Sequence, residues 1–236
     1  MAPPAPYALR VVRPASSTIA HVDAESGFSG GEVQVFLLIQ GLRRAGWRSV
    51  LFAPPGSMAA ARARELDVEH VAVSMRNDLD GPAVLALRRG FEKCGAALAH
   101  LHTGRATWLG GWAARLAGLP AITTRRMDRD VRPGVRTRLL YSTLTRRVAA
   151  ISPSVADGLR EGGVPVERIR TIWSAVDPEA LRARRPCAEV RAELGAGAGQ
   201  VVLLSAGALT GRKGLARLLR ACAGLREARS LLCSEP

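Results

Sequence analysis

The sequence predicts an α/β fold: a Rossmann-like doubly wound parallel sheet, followed by the start of a second Rossmann-like domain. Three observations predict it. Short runs that are apolar on both faces alternate with segments of helical period. Gly, Pro, Asp or Ser bounds each run, so the chain can turn there. After a polar, Gly/Ala-rich stretch over 182–200, the order of apolar run, glycine loop and helical segment begins again.

The candidate strands are Thr18–Val22, Arg48–Ala53, His70–Val73, Ala97–His102, Ala121–Thr124, Arg147–Ile151 and Ile169–Trp173. Continuous apolar runs of this length suit a parallel sheet with helices on both faces. Val35, Leu38, Ile39 and Leu42 recur at i, i+3, i+4 and i+7, which predicts a helix stopped by Gly46. Gly118-Leu119-Pro120 ends another helix. Ser152-Pro153 reads as an N-cap followed by proline at the first helical position.

Residues 1–15 read as a flexible extension, with three prolines among the first six. Residues 16–181 form the first domain and 182–200 a linker holding one short helix, Cys187–Leu194. Residues 201–236 then supply a strand at Val201–Ser205, a loop at Gly207–Gly214, a helix at Leu215–Cys222 and a second strand at Ala228–Cys233. A piece of about 35 residues cannot bury a core of its own. The second domain is therefore expected to be incomplete.

Composition narrows the function classes. Of 236 residues, 47% are hydrophobic and 23% charged, which is globular rather than disordered. Aromatics at 4% are too few for a base-stacking platform. Basic residues exceed acidic ones by 34 to 20, a net charge of +14. That excess suits nucleic acid, an anionic membrane surface or phosphorylated small molecules. No helix-turn-helix, zinc finger or aromatic-basic RNA motif is present, so nucleic acid is disfavoured. No run approaches the ~18 apolar residues of a membrane span. Cys94, Cys187, Cys222 and Cys233 form no C-x-x-C pair, which suits reduced thiols and predicts no zinc framework.

Five segments carry candidate chemistry. Asp23–Glu32 joins the first strand to the first helix, and Gly30 and Gly31 let the backbone approach a ligand where helix N–H groups favour phosphate. His100 and His102 fall on one face at the end of the fourth strand, with His102 toward its carboxyl end. Arg125 and Arg126 follow the fifth strand and suit bidentate binding of phosphate or carboxylate. Arg212 and Lys213 sit in a glycine loop before a helix, although the spacing is not that of a Walker A loop. Lys93 and Lys213 are the only lysines, which sets Lys213 apart from the many arginines. The basic run from Arg125 to Arg147, around Leu139, Leu140 and Leu144, suits either a solvated face or an amphipathic helix for an anionic membrane surface.

The chain resembles family 4 glycosyltransferases, retaining enzymes of the two-domain GT-B architecture. HVDAESGFSGGEVQ resembles their opening strand and glycine loop, and LAHLHTGRATWLGGWAARLAGLP their central strand and following helix. VAAISPSVADGLREGGVPVERIRTIWSAVDPEAL resembles the run closing the N-terminal domain, and LLSAGALTGRKGLARLL the start of the donor domain. SMRNDLD and TTRRMD resemble bacterial members of lipopolysaccharide or envelope glycan synthesis.

The resemblance implies transfer of a sugar, with retention, from a nucleoside diphosphate sugar to a glycan or lipid-linked acceptor. It implies no cofactor and no metal. It places the active-site histidine on His102; members also carry one after the next strand, where Thr124 and Arg125 stand here. Gly30, Gly31, Arg212 and Lys213 would face the donor phosphates, and Arg125 and Arg126 the acceptor side. Members also carry two donor-binding glutamates beyond Pro236. A cytoplasmic protein, peripheral at the inner face of the membrane, is expected. The 236 residues alone are expected to turn over negligibly, and a non-catalytic acceptor-binding role is the alternative.

Overall fold

The computed structural model describes residues 18–27, 29–127, 130–207 and 209–224. The extension 1–15, Asp128, Arg129, Ala208 and the candidate strand Ala228–Cys233 lie outside them. The chain divides into two compact units, Met1–Ala180 and Leu181–Pro236.

Seven strands build the first unit: β1 Thr18–Val22, β2 Arg48–Ala53, β3 Glu69–Ala72, β4 Ala96–Leu101, β5 Ala121–Arg125, β6 Arg147–Ala150 and β7 Ile169–Thr171. Each of the seven runs predicted for this unit is a strand, with ends moved by no more than two residues. All pair in parallel in the order β3-β2-β1-β4-β5-β6-β7. The chain steps outward from β1 to β3, then crosses back to β4 and steps the other way. The order therefore reverses between β1 and β4, and their carboxyl ends form the crevice where open α/β sheets hold ligands.

Alternation along the strands feeds two cores. Ala20, Val22, Val50 and Phe52 pack with α3 (Gly81–Lys93) and α4 (Gly104–Leu116). Leu51 and Ala53 pack with Val35, Phe36 and Ile39 of α1 (Gly30–Arg44) and Ala59 and Ala63 of α2 (Met58–Glu65). Side-chain caps start the helices. Ser57, Asp80, Thr103 and Ser152 each accept a backbone N–H three residues on. Such a cap contributes about 1 kcal/mol. Ser152 begins α6 (Pro153–Glu161), with the proline where the sequence places it.

The basic run departs from expectation. It forms a short α5 (Val135–Arg138) that passes into a π-helical turn, Leu139–Leu144. Tyr141 and Leu144 are buried, and Leu140 packs against a third core cluster with Val148, Val155 and Leu159. Thr145 Oγ1 donates to the Leu140 carbonyl at 2.9 Å, five residues back. Arg168 donates to the Ser142 and Thr145 carbonyls at 2.7 and 3.0 Å. These bonds satisfy carbonyls that the wide turn leaves open. Leu140 and Leu144 thus pack inward rather than onto the apolar face predicted for a membrane. No described helix is long and apolar enough to cross a membrane.

In the second unit, α7 (Cys187–Glu193) and α8 (Leu215–Ala223) form near their predicted bounds. Val201–Ser205 does not form the predicted strand. A strand needs neighbours for its N–H and C=O groups, and none of the described residues pairs with this segment. Its apolar side chains stay exposed, Val201 at 84% and Leu204 at 90%.

Two adjacent glycines set how closely α4 approaches its neighbours. A Cβ on Gly110 would lie 2.6 Å from Leu101 Cδ2, and one on Gly111 2.8 Å from Leu144 Cβ. Gly41, inside α1, faces open space. Alanine is about 1 kcal/mol better than glycine inside a helix. Gly41→Ala should therefore raise stability by roughly 0.5–1 kcal/mol. Gly111→Ala should lower it by about 1–3 kcal/mol, because overpacking outweighs propensity. Urea midpoints of the two variants check this pair, and equal shifts would mean that α4 has room to move.

Candidate functional site

A cleft of about 450 Å³ opens at the carboxyl edge of the sheet. The loop after β1 and the start of α1 contribute Gly27, Ser29, Gly31 and Glu32. β4 and the start of α4 contribute His102, Thr103 and Gly104, and β5 and its loop Thr124, Arg125 and Arg126. Tyr141 of the π turn closes one wall, and its hydroxyl accepts from Arg125 at 3.2 Å.

Local sequence dictates the α1 wall. Ser29 caps the helix, its hydroxyl accepting the Gly31 N–H at 3.2 Å. Glu32 returns a carboxylate to the Ser29 N–H, completing a capping box. A Cβ on Gly30 would meet nothing within 4 Å, and one on Gly31 would come within 3.7 Å of Arg126 Cδ. Neither glycine needs an unusual backbone angle, so their value here is open space beside helix N–H groups.

Three histidines lie beneath the cleft. Parallel register sets His21 of β1 against His100 of β4, and alternation adds His102 on the same face. His21 Nδ1 is 3.0 Å from His102 Nε2. His100 Nε2 is 2.7 Å from the Thr124 hydroxyl. All three rings are buried. Burial lowers the pKa of His21 to about 3. It also holds His100 and His102 well below the usual histidine range, helped by the neighbouring imidazoles and by Arg126.

Arg126 bridges this trio and the cleft. Its guanidinium donates to the His102 carbonyl at 3.0 Å and approaches His102 Nδ1 at 3.3 Å. Asp23 and Glu32 act on it at longer range, raising its pKa against the larger effect of burial. Asp23 is itself buried, which pushes its carboxyl up to about 6 although it accepts the Glu25 N–H at 2.9 Å.

The structure therefore brings Gly31, His102, Arg125 and Arg126 to one cleft, with Gly30 at the first position of α1. Lys213 lies in the second unit. It closes a short 3-10 turn, Gly211–Lys213, before Gly214 at φ 72° leads into α8. The side chain of Arg212 lies outside the described residues. Sequence reasoning missed His21, Asp23 and Tyr141. His21 has no motif of its own, and only the pairing of β1 with β4 reveals it. The S-x-x-E spacing of Ser29 and Glu32 was a readable signal for the capping box.

The family model described as Glycosyltransferase Family 4 matches residues 28–180. No curated protein matches the chain. Among solved structures, a glycosyltransferase from Rickettsia africae has a TM-score of 0.75 at 18% identity, over 90% of this chain and 58% of its own. The Anabaena protein HepE, solved with UDP-glucose, has a TM-score of 0.62 at 16% identity, over 75% of this chain and 50% of its own. The lipopolysaccharide outer core galactosyltransferase WaaB has a TM-score of 0.53 at 13% identity, over 68% and 46%. At such identities these likenesses establish the fold. The chain spans about half the length of these proteins.

The buried histidines make stability pH-dependent with a definite sign. Unfolded, each titrates near 6.5; folded, His21 titrates near 3 and the others well below 6.5. Unfolding in acid therefore takes up protons, so stability present above pH 6.5 is lost as pH falls. Asp23 opposes this, because its folded pKa lies above its unfolded one, and it loses stability as pH rises through about 6. The net expectation is a fall in urea midpoint from pH 7 to pH 4, at up to about 1.4 kcal/mol per pH unit per net proton. A flat profile would mean that the rings are already protonated or hydrated in the native state.

Proposed function

Since the chain belongs to glycosyltransferase family 4, we propose that it serves in transferring a sugar, with retention, from a nucleoside diphosphate sugar to a hydroxyl of a glycan or lipid-linked acceptor. Envelope polysaccharide synthesis is the proposed setting, supported by the likeness to WaaB and by the SMRNDLD and TTRRMD stretches. HepE, solved with UDP-glucose, supports a uridine diphosphate donor.

One observation carries this reading. The cleft stands where the strand order reverses, and the start of α1 and Arg126 face it together. Sugar transfer from such a donor leaves a diphosphate that carries the developing negative charge. Helix N–H groups and fixed cations stabilise that charge without reorganising. In this proposal Gly30 and Gly31 give the phosphates access to the α1 N-terminus. Lys213, in the second unit, is assigned to the donor phosphates on the family resemblance alone, in a turn whose glycines leave the backbone open. Arg125, steadied by the Tyr141 hydroxyl, faces the acceptor.

The test is nucleotide release by a full-length version of the protein from a panel of nucleotide sugars with glycan and lipid-linked acceptors. Lys213→Ala should weaken transition-state stabilisation by about 2–4 kcal/mol, as for loss of an electrostatic stabiliser. Gly30→Val should leave the urea midpoint within about 0.5 kcal/mol of the parent, as an exposed substitution, while abolishing release by filling the approach to α1. Release that ignores both substitutions would remove these residues from the reaction. Release from no donor in the panel would overturn the transferase reading.

A further inference from the structure

The bonds around His102 assign both of its ring nitrogens. A guanidinium has five N–H donors and no acceptor. Arg126 approaches His102 Nδ1 at 3.3 Å, so Nδ1 accepts and carries no hydrogen. Burial keeps the ring neutral, and the hydrogen then resides on Nε2. Nε2 faces His21 Nδ1 at 3.0 Å and donates to it. His21 must in turn carry its hydrogen on Nε2, and that atom is buried with no hydrogen-bond partner. The polarity of the whole chain, Arg126 to His102 to His21, is set at the guanidinium end.

This arrangement limits what His102 can do. Both nitrogens are engaged within the protein, and a proton added at Nδ1 would point at a guanidinium hydrogen. Ring nitrogens of His21, His100 and His102 lie within 4.8 Å of one another, and a metal there would have to displace the hydrogen between His102 and His21.

Arg126 is the opposite case. His102 takes two of its donors, one at the carbonyl and one at Nδ1. Its Nε is buried without a partner. The nearby carboxylates hold backbone N–H groups, Asp23 that of Glu25 and Glu32 that of Ser29, and act on Arg126 only at longer range. Among the described residues no carboxylate lies within ion-pair distance of it. A guanidinium held rigidly with donors to spare, beside a helix N-terminus, suits a phosphate.

We propose that His102 is a positioning residue that aims Arg126, and that Arg126 is the group that meets a phosphate of the ligand in this cleft. The class of ligand rests on the transferase reading above; the role of His102 does not. The phosphate belongs either to the donor diphosphate or to a phosphorylated acceptor, and the experiment separates the two.

The test uses the 236-residue chain. Nitrogen NMR should find His102 with Nδ1 unprotonated from about pH 5 to 8, and Arg126→Leu should release that tautomer preference. Pyrophosphate, UDP and an alkyl phosphate are then titrated. Arg126→Leu and His102→Leu should each weaken the tightest of these by about tenfold or more, about 1.4 kcal/mol. His102→Asn places an acceptor oxygen near the Nδ1 position and should restore most of the binding. Preference for pyrophosphate and UDP assigns the donor, and preference for the alkyl phosphate the acceptor. The proposal is overturned if His102 carries its hydrogen on Nδ1, if Arg126→Leu binds normally, or if His102→Asn is as weak as His102→Leu. Failure of every nucleotide sugar in the release assay, with these results intact, would remove the transferase reading and leave the role of His102 standing.

Discussion

Backbone pairing between β1 and β4 joins segments far apart in sequence, and the two helix N-termini that wall the cleft take their place from that pairing. The ladder runs past the strand ends, the His102 N–H donating to the Val22 carbonyl at 2.9 Å, and on the other side of β1 the Asp23 N–H donates to the Phe52 carbonyl of β2 at 3.0 Å. The chains leaving β1 and β4 therefore start from fixed points. One enters the capped N-terminus of α1 and the other that of α4. Parallel strands need a crossover between them. The reversal of strand order keeps those crossovers apart, and the gap between them is the cleft.

Charge in that gap is arranged with little surplus. Burial disfavours the ionised forms of Asp23 and Arg126 alike, and each is the other's partial compensation at a distance. The histidine layer stays neutral and so adds no charge of its own. What reaches the cleft is the Arg126 guanidinium held by His102, with Arg125, Glu25 and Glu32 around it, and the dipole of α1. Exposed pairs elsewhere, such as Arg48 with Glu69 and Arg88 with Glu92, add little of this kind because water screens them. The net charge of +14 is thus a poor guide to the site, which depends on a few buried groups.

The fold was legible because its signals are local. Seven apolar runs and the turn residues around them locate the strands to within a residue or two. Ser152-Pro153 and Gly118-Leu119-Pro120 mark helix ends for steric reasons that hold in any context. The site was legible only in part. Gly30, His102 and Arg126 stand out at strand or helix ends, but their relations to one another do not. His21 matters through register, which no local pattern encodes. The basic run misled because Leu140 and Leu144 look alike on an amphipathic helix and in a core. Thr145 and Arg168 settle which it is, through bonds that reach across the chain. The Val201–Ser205 run has strand-like composition, yet composition cannot supply a neighbour.

Gly110 and Gly111 show how far such a constraint can travel. One faces Leu101 at the end of β4 and the other faces Leu144 in the π turn, so two surfaces of α4 are in near-backbone contact at once. The helix is seated like a key between two shoulders, with no slack along either. Thr103 and Gly104, at the mouth of the cleft, sit on the same rigid rod about two turns away. Side chains that never approach a ligand thereby register the cleft wall against the sheet. Drift at this helix over evolutionary time would be felt as misalignment at the mouth before it was felt as unfolding.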